Sequence, residues 1–282
     1  GLQSLMPASR AALDAAEVIV GSERLHALTS QLDAERLAWP SPFDMMVDTI
    51  AGLRGRRVAV LATGDPLWFS VGARIGRDIP ASQIVYHPQL SAFQLAAARL
   101  GWSLADVETV TAHGRAPEQI LPCVAPGVRM LVFTAGADTP AQVAALLRDR
   151  GYGESRMTVF SDLGAEPEAR VEGVAREWNA QVGALNTLAV ACVASPEAQL
   201  LSRVPGLPDA AFSHDGKMTK RETRAVTLSH LMPQRGAMLW DIGCGAGAVA
   251  IEWMRAAPDA RAIGIEPRAE RRATAAGNAL AL

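Results

Sequence analysis

The sequence predicts an α/β protein with more than one folding unit, and three observations favour this class. Short apolar runs that are typical of buried strands alternate along the chain with segments of helical periodicity. Only 5% of the residues are aromatic and 49% are hydrophobic, with alanine abundant, which favours helix-covered sheets over a β-sandwich. The length of 282 residues exceeds that of most single compact domains, so two or more units are expected.

The first hundred residues predict strands separated by helices. A helix is expected over residues 7–17. Ser41 is predicted to be a helix N-cap, because Pro42 and Asp44 suit the first turn that follows it. The other expected elements are buried strands at 18–20 and 57–62, a helix that ends near residue 78, a strand at 83–87 and a helix at 91–100.

The middle of the chain predicts a second set of elements. Thr139 to Gln142 reads as a capping box with Pro140 at the first helical position, which opens a helix to Arg150. Prolines and a glycine make residues 195–209 the best linker candidate. Strands are expected at 107–112, 128–134, 157–161 and 188–194.

A third set begins near residue 212. Thr219 to Glu222 predicts another capping box, which opens a helix to about Met232. An apolar strand over 237–242 then runs into a glycine-rich loop at Gly243–Gly247. A helix to about residue 257 and a strand over 261–265 follow the loop.

This glycine loop is the strongest functional signal. Glycines at positions 243, 245 and 247 let the backbone turn sharply and approach a ligand closely. Glu266 follows Gly247 by 19 residues, at the end of the next strand, where an acid accepts hydrogen bonds from ribose hydroxyls. A plain strand-to-helix turn with glycines for packing is the alternative.

The loop also satisfies a dinucleotide fingerprint, but two details favour a sulfonium cofactor. Asp241 lies just before the loop, where its charge would repel a pyrophosphate and attract a positively charged amino acid moiety. The GxGxG spacing gives a flatter loop that suits an amino acid tail. An NAD-dependent oxidoreductase that uses Gly243–Gly247 stays open as an alternative, as does a non-catalytic scaffold stabilised by its cofactors.

Residues 212–282 resemble the opening part of a class I methyltransferase. The run from Met218 to Glu222 ahead of the loop is similar to the module that methylates carbon 15 of a precorrin and removes an acetate carboxyl. From the residues alone, Thr219 is equally well explained as a helix cap. The resemblance implies that S-adenosylmethionine is contacted by Thr219, Asp241, Gly243, Cys244, Gly245, Ala246, Gly247 and Glu266.

A turn at Gly64–Pro66 follows a buried strand, at the sheet edge where open α/β folds bind ligands. A plain turn is the alternative. With Gln89 to Phe93 opening an Ala-rich helix, the order resembles the tetrapyrrole methylase family over residues 1 to about 200, in which this turn borders a cofactor cleft between two lobes. The resemblance implies cofactor contacts at Gly64, Asp65, Pro66, Ser91, Thr134 and Ala135.

The segment Thr111–Arg115 is similar to the precorrin carbon-5 branch of that family. His113 and Arg115 are predicted to meet the substrate, because a precorrin carries many carboxylates and arginine suits paired carboxylate contacts. A solvated turn is the alternative for His113. No catalytic acid or base is assigned.

The resemblances imply a two-lobed tetrapyrrole methylase fold followed by the start of a Rossmann-like class I methyltransferase fold. The first module is expected over 1–203, with lobes at about 1–104 and 105–203, a linker at 204–211 and the N-terminal part of the second module at 212–282. The implied activity is methylation of precorrin-6B at carbons 5 and 15 with decarboxylation of the ring C acetate, in cobalamin biosynthesis.

Charge and cysteine content limit the partners. The net charge of −2 leaves no basic excess, so nucleic acid is not expected. Three separated cysteines and scattered histidines predict neither a disulfide framework nor a metal site, and they fit a reducing cytoplasm. No apolar run reaches the ~20 residues that span a membrane, so no membrane partner is expected.

The family resemblance also suggests a homo-oligomer. Both ends of the chain are expected to be cut. Gly1 resembles the last residue of a glycine-rich loop, and the helical pattern is interrupted at Leu282.

Overall fold

The computed structural model describes residues 2–282, which form two compact units. The N-terminal unit comprises the chain up to Leu104 together with Asp162–Glu168. The C-terminal unit comprises Ala105–Ser161 and Ala169–Leu282. Gly1, which is predicted to end a glycine-rich loop, lies outside the described residues.

The N-terminal unit is built on a three-stranded parallel sheet in the order β2-β1-β3. Its central strand is fully buried at Val18, Ile19 and Val20, as expected for a parallel sheet covered on both faces. The strands are β1 (Val18–Gly21), β2 (Glu35–Ala38) and β3 (Val58–Val60). The helices are α1 (Pro7–Asp14), α2 (Glu23–Leu28), α3 (Met46–Ala51), α4 (Val71–Asp78) and α5 (Ala92–Leu100).

The C-terminal unit contains a five-stranded mixed sheet in the order β4-β5-β8-β6-β7. Strands β4 and β5 pair in parallel, and the other pairs are antiparallel. Helix α6 (Thr139–Asp149) contributes Val143 and Leu147 to the core beneath this sheet. The strands are β4 (Val107–Thr111), β5 (Arg129–Phe133), β6 (Arg156–Ser161), β7 (Ala169–Val174) and β8 (Asn186–Ala191).

The same unit ends with a two-stranded parallel sheet, β9 (Met238–Ile242) and β10 (Arg261–Ile265). Three helices accompany it: α7 (Arg221–Leu231), α8 (Ala248–Ala256) and α9 (Ala269–Ala281). Helix α8 packs against both strands, and α7 and α9 pack against α8. None of the helices within residues 2–282 is long and apolar enough to cross a membrane.

One face of this small sheet carries exposed apolar side chains. Because side chains alternate along a strand and Trp240 pairs with Ile263, five of them share a face. They are Met238, Trp240 and Ile242 on β9, and Ile263 and Ile265 on β10, and Trp240 and Ile242 are 62% and 79% exposed. We call this set the bare face.

The structure corrects one predicted strand. Residues 84–90 form no strand, and a short 3-10 helix occupies Ala81–Gln83 before them. The segment packs on α4 instead of on the sheet, since the Tyr86 hydroxyl donates a hydrogen bond to the Gly72 carbonyl at 3.2 Å.

Three predicted helix caps are also wrong. Pro42, not Ser41, precedes the 3-10 helix that leads into α3. Thr139 is already helical in α6, and Lys220, not Thr219, is the N-cap of α7. The Thr139 hydroxyl accepts a hydrogen bond from the Ala135 N–H, which lies before the helix.

Candidate functional site

The loop between β9 and α8 uses its glycines in two ways. Gly243, Gly245 and Gly247 have φ values of +83°, +55° and +79°, a region that residues with a Cβ rarely adopt. A Cβ at Gly247 would lie 3.1 Å from the Cβ of Ala275 on α9, so this glycine allows close helix packing. No atom lies within 4 Å of a Cβ built on Gly243. The first half of the loop is therefore open to a ligand.

Glu266 links the end of β10 to this loop. The residue is 7% exposed, and its carboxylate accepts hydrogen bonds from the Gly245 N–H at 3.1 Å and the Arg268 N–H at 3.0 Å. Each carboxylate oxygen keeps a second lone pair for another donor. The carboxylate thus lies beside the open part of the loop and can accept ligand hydroxyls.

Asp241, the fourth residue of β9, carries an unsatisfied buried oxygen. No residue within 2–282 donates a hydrogen bond to its Oδ2. Burial raises the pKa of the Asp241 carboxyl above its ordinary value, and a hydrogen bond from the Ala250 backbone offsets this only in part. A buried acceptor without a partner costs stability. A cationic ligand group would relieve that cost.

Cys244 lies in the same loop but is unsuited to nucleophilic chemistry. Burial raises the pKa of its thiol, and the negative charges of Asp241 and Glu266 raise it further. Because the thiolate is the reactive form, this cysteine is a weak nucleophile at neutral pH. The groups around the loop can therefore bind and orient a ligand, but they supply no activated thiol.

Two side chains that the sequence analysis missed hold this site in place. Asn278 on α9 donates from Nδ2 to the Ala246 carbonyl and to the Ser213 carbonyl, both at 2.9 Å. Its Oδ1 accepts from the Ser213 N–H at 2.8 Å. The signal available in the sequence was a polar amide in the C-terminal part of an Ala-rich helix. Asn278 ties the segment before α7 to the glycine loop.

Arg224 on α7 is the second missed residue. It is fully buried, donates to Glu252 Oε1 at 2.6 Å and to the Thr219 carbonyl at 2.6 Å, and stacks on Phe212. Glu252 on α8 also accepts hydrogen bonds from the backbone N–H groups of residues 206 and 207. This buried pair fixes the segment that carries Thr219. The neighbouring Lys217 carbonyl lies 4.0 Å from a Cβ built on Gly245.

The turn at Gly64–Pro66 forms a second candidate site, in the N-terminal unit. Gly64 has φ +71°, and a Cβ there would lie 2.8 Å from the Cα of Ser91, so two predicted residues are neighbours. Asp65 Oδ1 accepts a hydrogen bond from the Leu67 N–H at 2.8 Å and shapes the turn. Ser91 is the N-cap of α5, and its N–H donates to Gln94 Oε1 at 2.6 Å.

The remaining predicted residues follow β4 and β5, whose parallel pairing places their carboxyl ends at one edge. Thr134 is buried, and its hydroxyl donates a hydrogen bond to the Asn186 carbonyl at 2.7 Å. This bond holds β5 and β8 together at their ends. His113 and Arg115 lie in an exposed turn, where the His113 N–H donates to Thr111 Oγ1. Within residues 2–282, no group of three or more His, Cys, Asp or Glu side chains is arranged to hold a metal ion.

Comparison with family models identifies the fold. Residues 3–179 match the model described as tetrapyrrole (corrin/porphyrin) methylases. The chain belongs to the tetrapyrrole methylase family. A second model, described as a precorrin methyltransferase domain, matches residues 210–282 of this tetrapyrrole methylase.

Two curated relatives are similar along most of this tetrapyrrole methylase. A precorrin-6Y C(5,15)-methyltransferase (decarboxylating) of a Sinorhizobium species is 41% identical over 273 residues, which cover 96% of this chain and 66% of the relative. The protein of that name from Mycobacterium tuberculosis is 36% identical over 288 residues, which cover 100% and 71%. The chain thus spans roughly two thirds of the length of these relatives.

A solved structure agrees with the family assignment. The uroporphyrin-III C-methyl transferase of Thermus thermophilus, complexed with S-adenyl homocysteine, has a TM-score of 0.53 and 17% identity to this tetrapyrrole methylase. The match covers 68% of this chain and 93% of that chain. At this identity the likeness concerns the fold alone. Together with the family match, it confirms the predicted fold class.

Proposed function

We propose that the protein is an S-adenosylmethionine-dependent C-methyltransferase. It methylates precorrin-6B at carbons 5 and 15 and decarboxylates the ring C acetate, in cobalamin biosynthesis. The observation that carries the proposal is the open glycine loop, flanked by the buried Glu266 and by Asp241, whose Oδ2 has no donor within residues 2–282. The names of the two curated relatives support the same reaction.

The residues around the loop suit the parts of this cofactor. Among the described residues the Asp241 Oδ2 has no hydrogen-bond donor, and the ammonium group of the cofactor's amino acid moiety would provide one. The free lone pairs of Glu266 would accept ribose hydroxyls, and the glycine backbone from Gly243 to Gly247 would follow the ligand closely. The cofactor, when bound, supplies an electrophilic methyl group.

For this reaction the protein mainly has to position the methyl donor and the acceptor carbon. Reduced tetrapyrrole carbons next to pyrrole nitrogens are enamine-like nucleophiles, so holding donor and acceptor in line supplies much of the rate. A covalent enzyme nucleophile is not required, which agrees with the raised pKa of the Cys244 thiol. After loss of the acetate carboxyl, the conjugated macrocycle accepts the electrons.

The two candidate sites suggest a division of labour. Residues 1–203 would form the carbon-5 module, with cofactor contacts at Gly64, Asp65, Pro66, Ser91, Thr134 and Ala135. The exposed His113 and Arg115 would meet substrate carboxylates. Residues 204–211 would link this module to the N-terminal part of the carbon-15 module at 212–282, whose contacts include Thr219, Cys244 and Ala246.

A binding experiment with a matched pair of glycine variants tests the proposal. Gly243 and Gly236 both have positive φ, and a Cβ at either meets nothing within 4 Å, so Gly243→Ala and Gly236→Ala carry similar backbone strain. Gly236 precedes β9, at the opposite end of the strand from the loop. Only Gly243→Ala should weaken binding of S-adenosylhomocysteine at the second module, by about tenfold or more.

Isothermal titration calorimetry provides the measurement. The unsubstituted chain should bind S-adenosylhomocysteine, and Gly236→Ala should retain that binding. Tight binding of NADH without binding of S-adenosylhomocysteine would overturn the proposal and favour an oxidoreductase. Labelled cofactor and a precorrin distinguish an enzyme from a scaffold, since a scaffold transfers no label.

We also propose a cytoplasmic homo-oligomer that acts on a small tetrapyrrole, without nucleic acid or membrane partners. The net charge of −2 supports the expectation about nucleic acid. Light scattering coupled to size-exclusion chromatography measures the oligomeric state, and a monomeric mass would contradict the proposed assembly.

A further inference from the structure

Arg24 lies at the ligand-binding edge of the N-terminal sheet. It is the second residue of α2, which follows β1, and Thr63 follows β3. Because β1 and β3 are parallel neighbours, both residues lie beyond the carboxyl ends of the strands, where open α/β sheets bind ligands. Arg24 Nη2 donates a hydrogen bond to Thr63 Oγ1 at 2.9 Å, one residue before Gly64.

The guanidinium of Arg24 is oriented but not neutralised. Within the described part of the N-terminal unit, Thr63 is its sole hydrogen-bond partner, and no carboxylate forms an ion pair with it. Neither the adjacent Glu23 nor Asp65, two residues after Thr63, makes a salt bridge to it. By contrast, five arginines of this unit pair with carboxylates: Arg10, Arg56, Arg57, Arg74 and Arg99.

We infer that Arg24, held by Thr63, binds a carboxylate group of the ligand that lies over the turn at Gly64–Pro66. The inference rests on the proposed function. A guanidinium has five N–H donors in a planar fork, and one bond to a neutral hydroxyl fixes the fork while leaving donors for a carboxylate. Two sources carry this group: the amino acid moiety of the cofactor and the acetate and propionate arms of the precorrin.

Arg54 offers a matched control for the substitution of Arg24. It is an exposed arginine of the same unit, and its side chain has neither a hydrogen bond nor a salt bridge within residues 2–282. It lies in the turn before β3, at the opposite edge of the sheet from Gly64. Arg24→Gln and Arg54→Gln therefore remove the same charge from the same unit, and only the first removes it from the proposed site.

The variants are made in a Gly243→Ala background, so that the titration reports the N-terminal site. Three ligands are titrated: S-adenosylhomocysteine, 5′-methylthioadenosine, which lacks the carboxylate, and precorrin-6B. If the cofactor supplies the carboxylate, Arg24→Gln weakens S-adenosylhomocysteine binding by about 10- to 100-fold and leaves 5′-methylthioadenosine unchanged. If the substrate supplies it, the Kd of precorrin-6B rises by a similar factor and cofactor binding is unchanged.

Thr63 is a positioning residue in this account. Thr63→Val should weaken the same ligand by about 3- to 10-fold, since the fork loses its fixed direction but keeps its charge. Thr63→Ser keeps the hydroxyl and should restore the affinity. A merely structural role for Thr63 would instead lower the melting temperature without this selectivity between ligands.

The outcomes separate this inference from the proposed function. If the unsubstituted chain binds no S-adenosylhomocysteine, the proposed function itself fails. If it binds the ligands and Arg24→Gln behaves as Arg54→Gln does toward all three, only the inference about Arg24 fails. Equal weakening of all three ligands, with a lower melting temperature, would indicate general damage and would also overturn it.

Discussion

At the scale of single residues, Asp241 shows how a group proposed to bind a ligand can oppose folding. Its Oδ2 is buried without a hydrogen-bond partner within residues 2–282, and burial raises the pKa of its carboxyl. Because the folded-state pKa lies above the unfolded value, ionisation of Asp241 disfavours the folded state. The stability that the neutral Asp241 carboxyl contributes is fully present below about pH 3.9. It is lost as the pH rises through the folded-state pKa.

Asp241→Asn should therefore stabilise the ligand-free protein at pH 7 and impair cofactor binding. We expect the melting temperature to rise by roughly 2 °C, and the affinity for S-adenosylhomocysteine at the second module to fall by about tenfold or more. Differential scanning fluorimetry at several pH values, with and without the ligand, measures both effects. The stabilisation should shrink as the pH is lowered toward the unfolded pKa.

Asp106→Asn is the control for this prediction. Asp106 is exposed and has no ion pair within the described chain, so its substitution should change neither quantity. A lower melting temperature for Asp241→Asn at pH 7, with unchanged ligand affinity, would contradict the role given to Asp241.

At the scale of elements, the Arg224–Glu252 pair joins α7 and α8 to the segment that precedes them. Both side chains are at most 2% exposed, and Glu252 also accepts two backbone hydrogen bonds from residues 206 and 207. Removing Glu252 would leave the buried Arg224 with the partly exposed Asp209, 3.1 Å away, as its remaining carboxylate partner, and breaking a buried pair is costly. The cost of breaking such a pair thus exceeds what a surface salt bridge contributes.

Glu252→Gln should lower the free energy of unfolding of this part of the chain by about 2–3 kcal/mol, because Arg224 keeps Asp209 as a charged partner. Glu222→Gln, at an exposed position on α7, should change it by less than about 0.5 kcal/mol. Urea unfolding followed by tryptophan fluorescence provides the comparison. Equal stability of the two variants would show that Glu252 does not hold these elements together.

Local sequence patterns predicted the glycine loop and most strands, because the strand, the loop and the helix are consecutive and each has a pattern in its own residues. Strand β10 matches its predicted bounds at Arg261–Ile265. Contacts between distant residues were missed, since no local pattern encodes them. Arg24 meets Thr63 across 39 residues, and Asn278 meets Ala246 across 32.

Errors arose where packing decided between conformations. Ile84 and Tyr86 alternate as a strand would, but the segment packs on α4 and pairs with no strand. Strand β7 was missed because Ala169–Val174 contains charged residues and lies at the edge of its sheet, where half of the positions face water. The hydroxyl of Thr134, a predicted cofactor contact, already donates to the Asn186 carbonyl, so a ligand contact there would have to use its backbone.

At the scale of the whole molecule, the two proposed ligand-binding edges lie in separate units. One is formed by Gly64 and Ser91 in the N-terminal unit, and the other by Gly243–Gly247 and Glu266 in the C-terminal unit. The proposed function therefore expects two cofactor molecules per chain. A substitution in one site can then abolish cofactor binding there without changing any residue of the other site.

The bare face of β9 and β10 has a consequence for handling the protein. Contiguous exposed apolar side chains on a parallel sheet favour nonspecific adhesion, because such sheets are normally sheltered on both sides. The double substitution Trp240→Ser with Ile242→Thr should reduce fluorescence of the dye ANS by at least half, while Val85→Thr, at another exposed apolar position, should not. The bare face would then promote aggregation at high protein concentration, and polar substitutions there would raise the solubility of the chain.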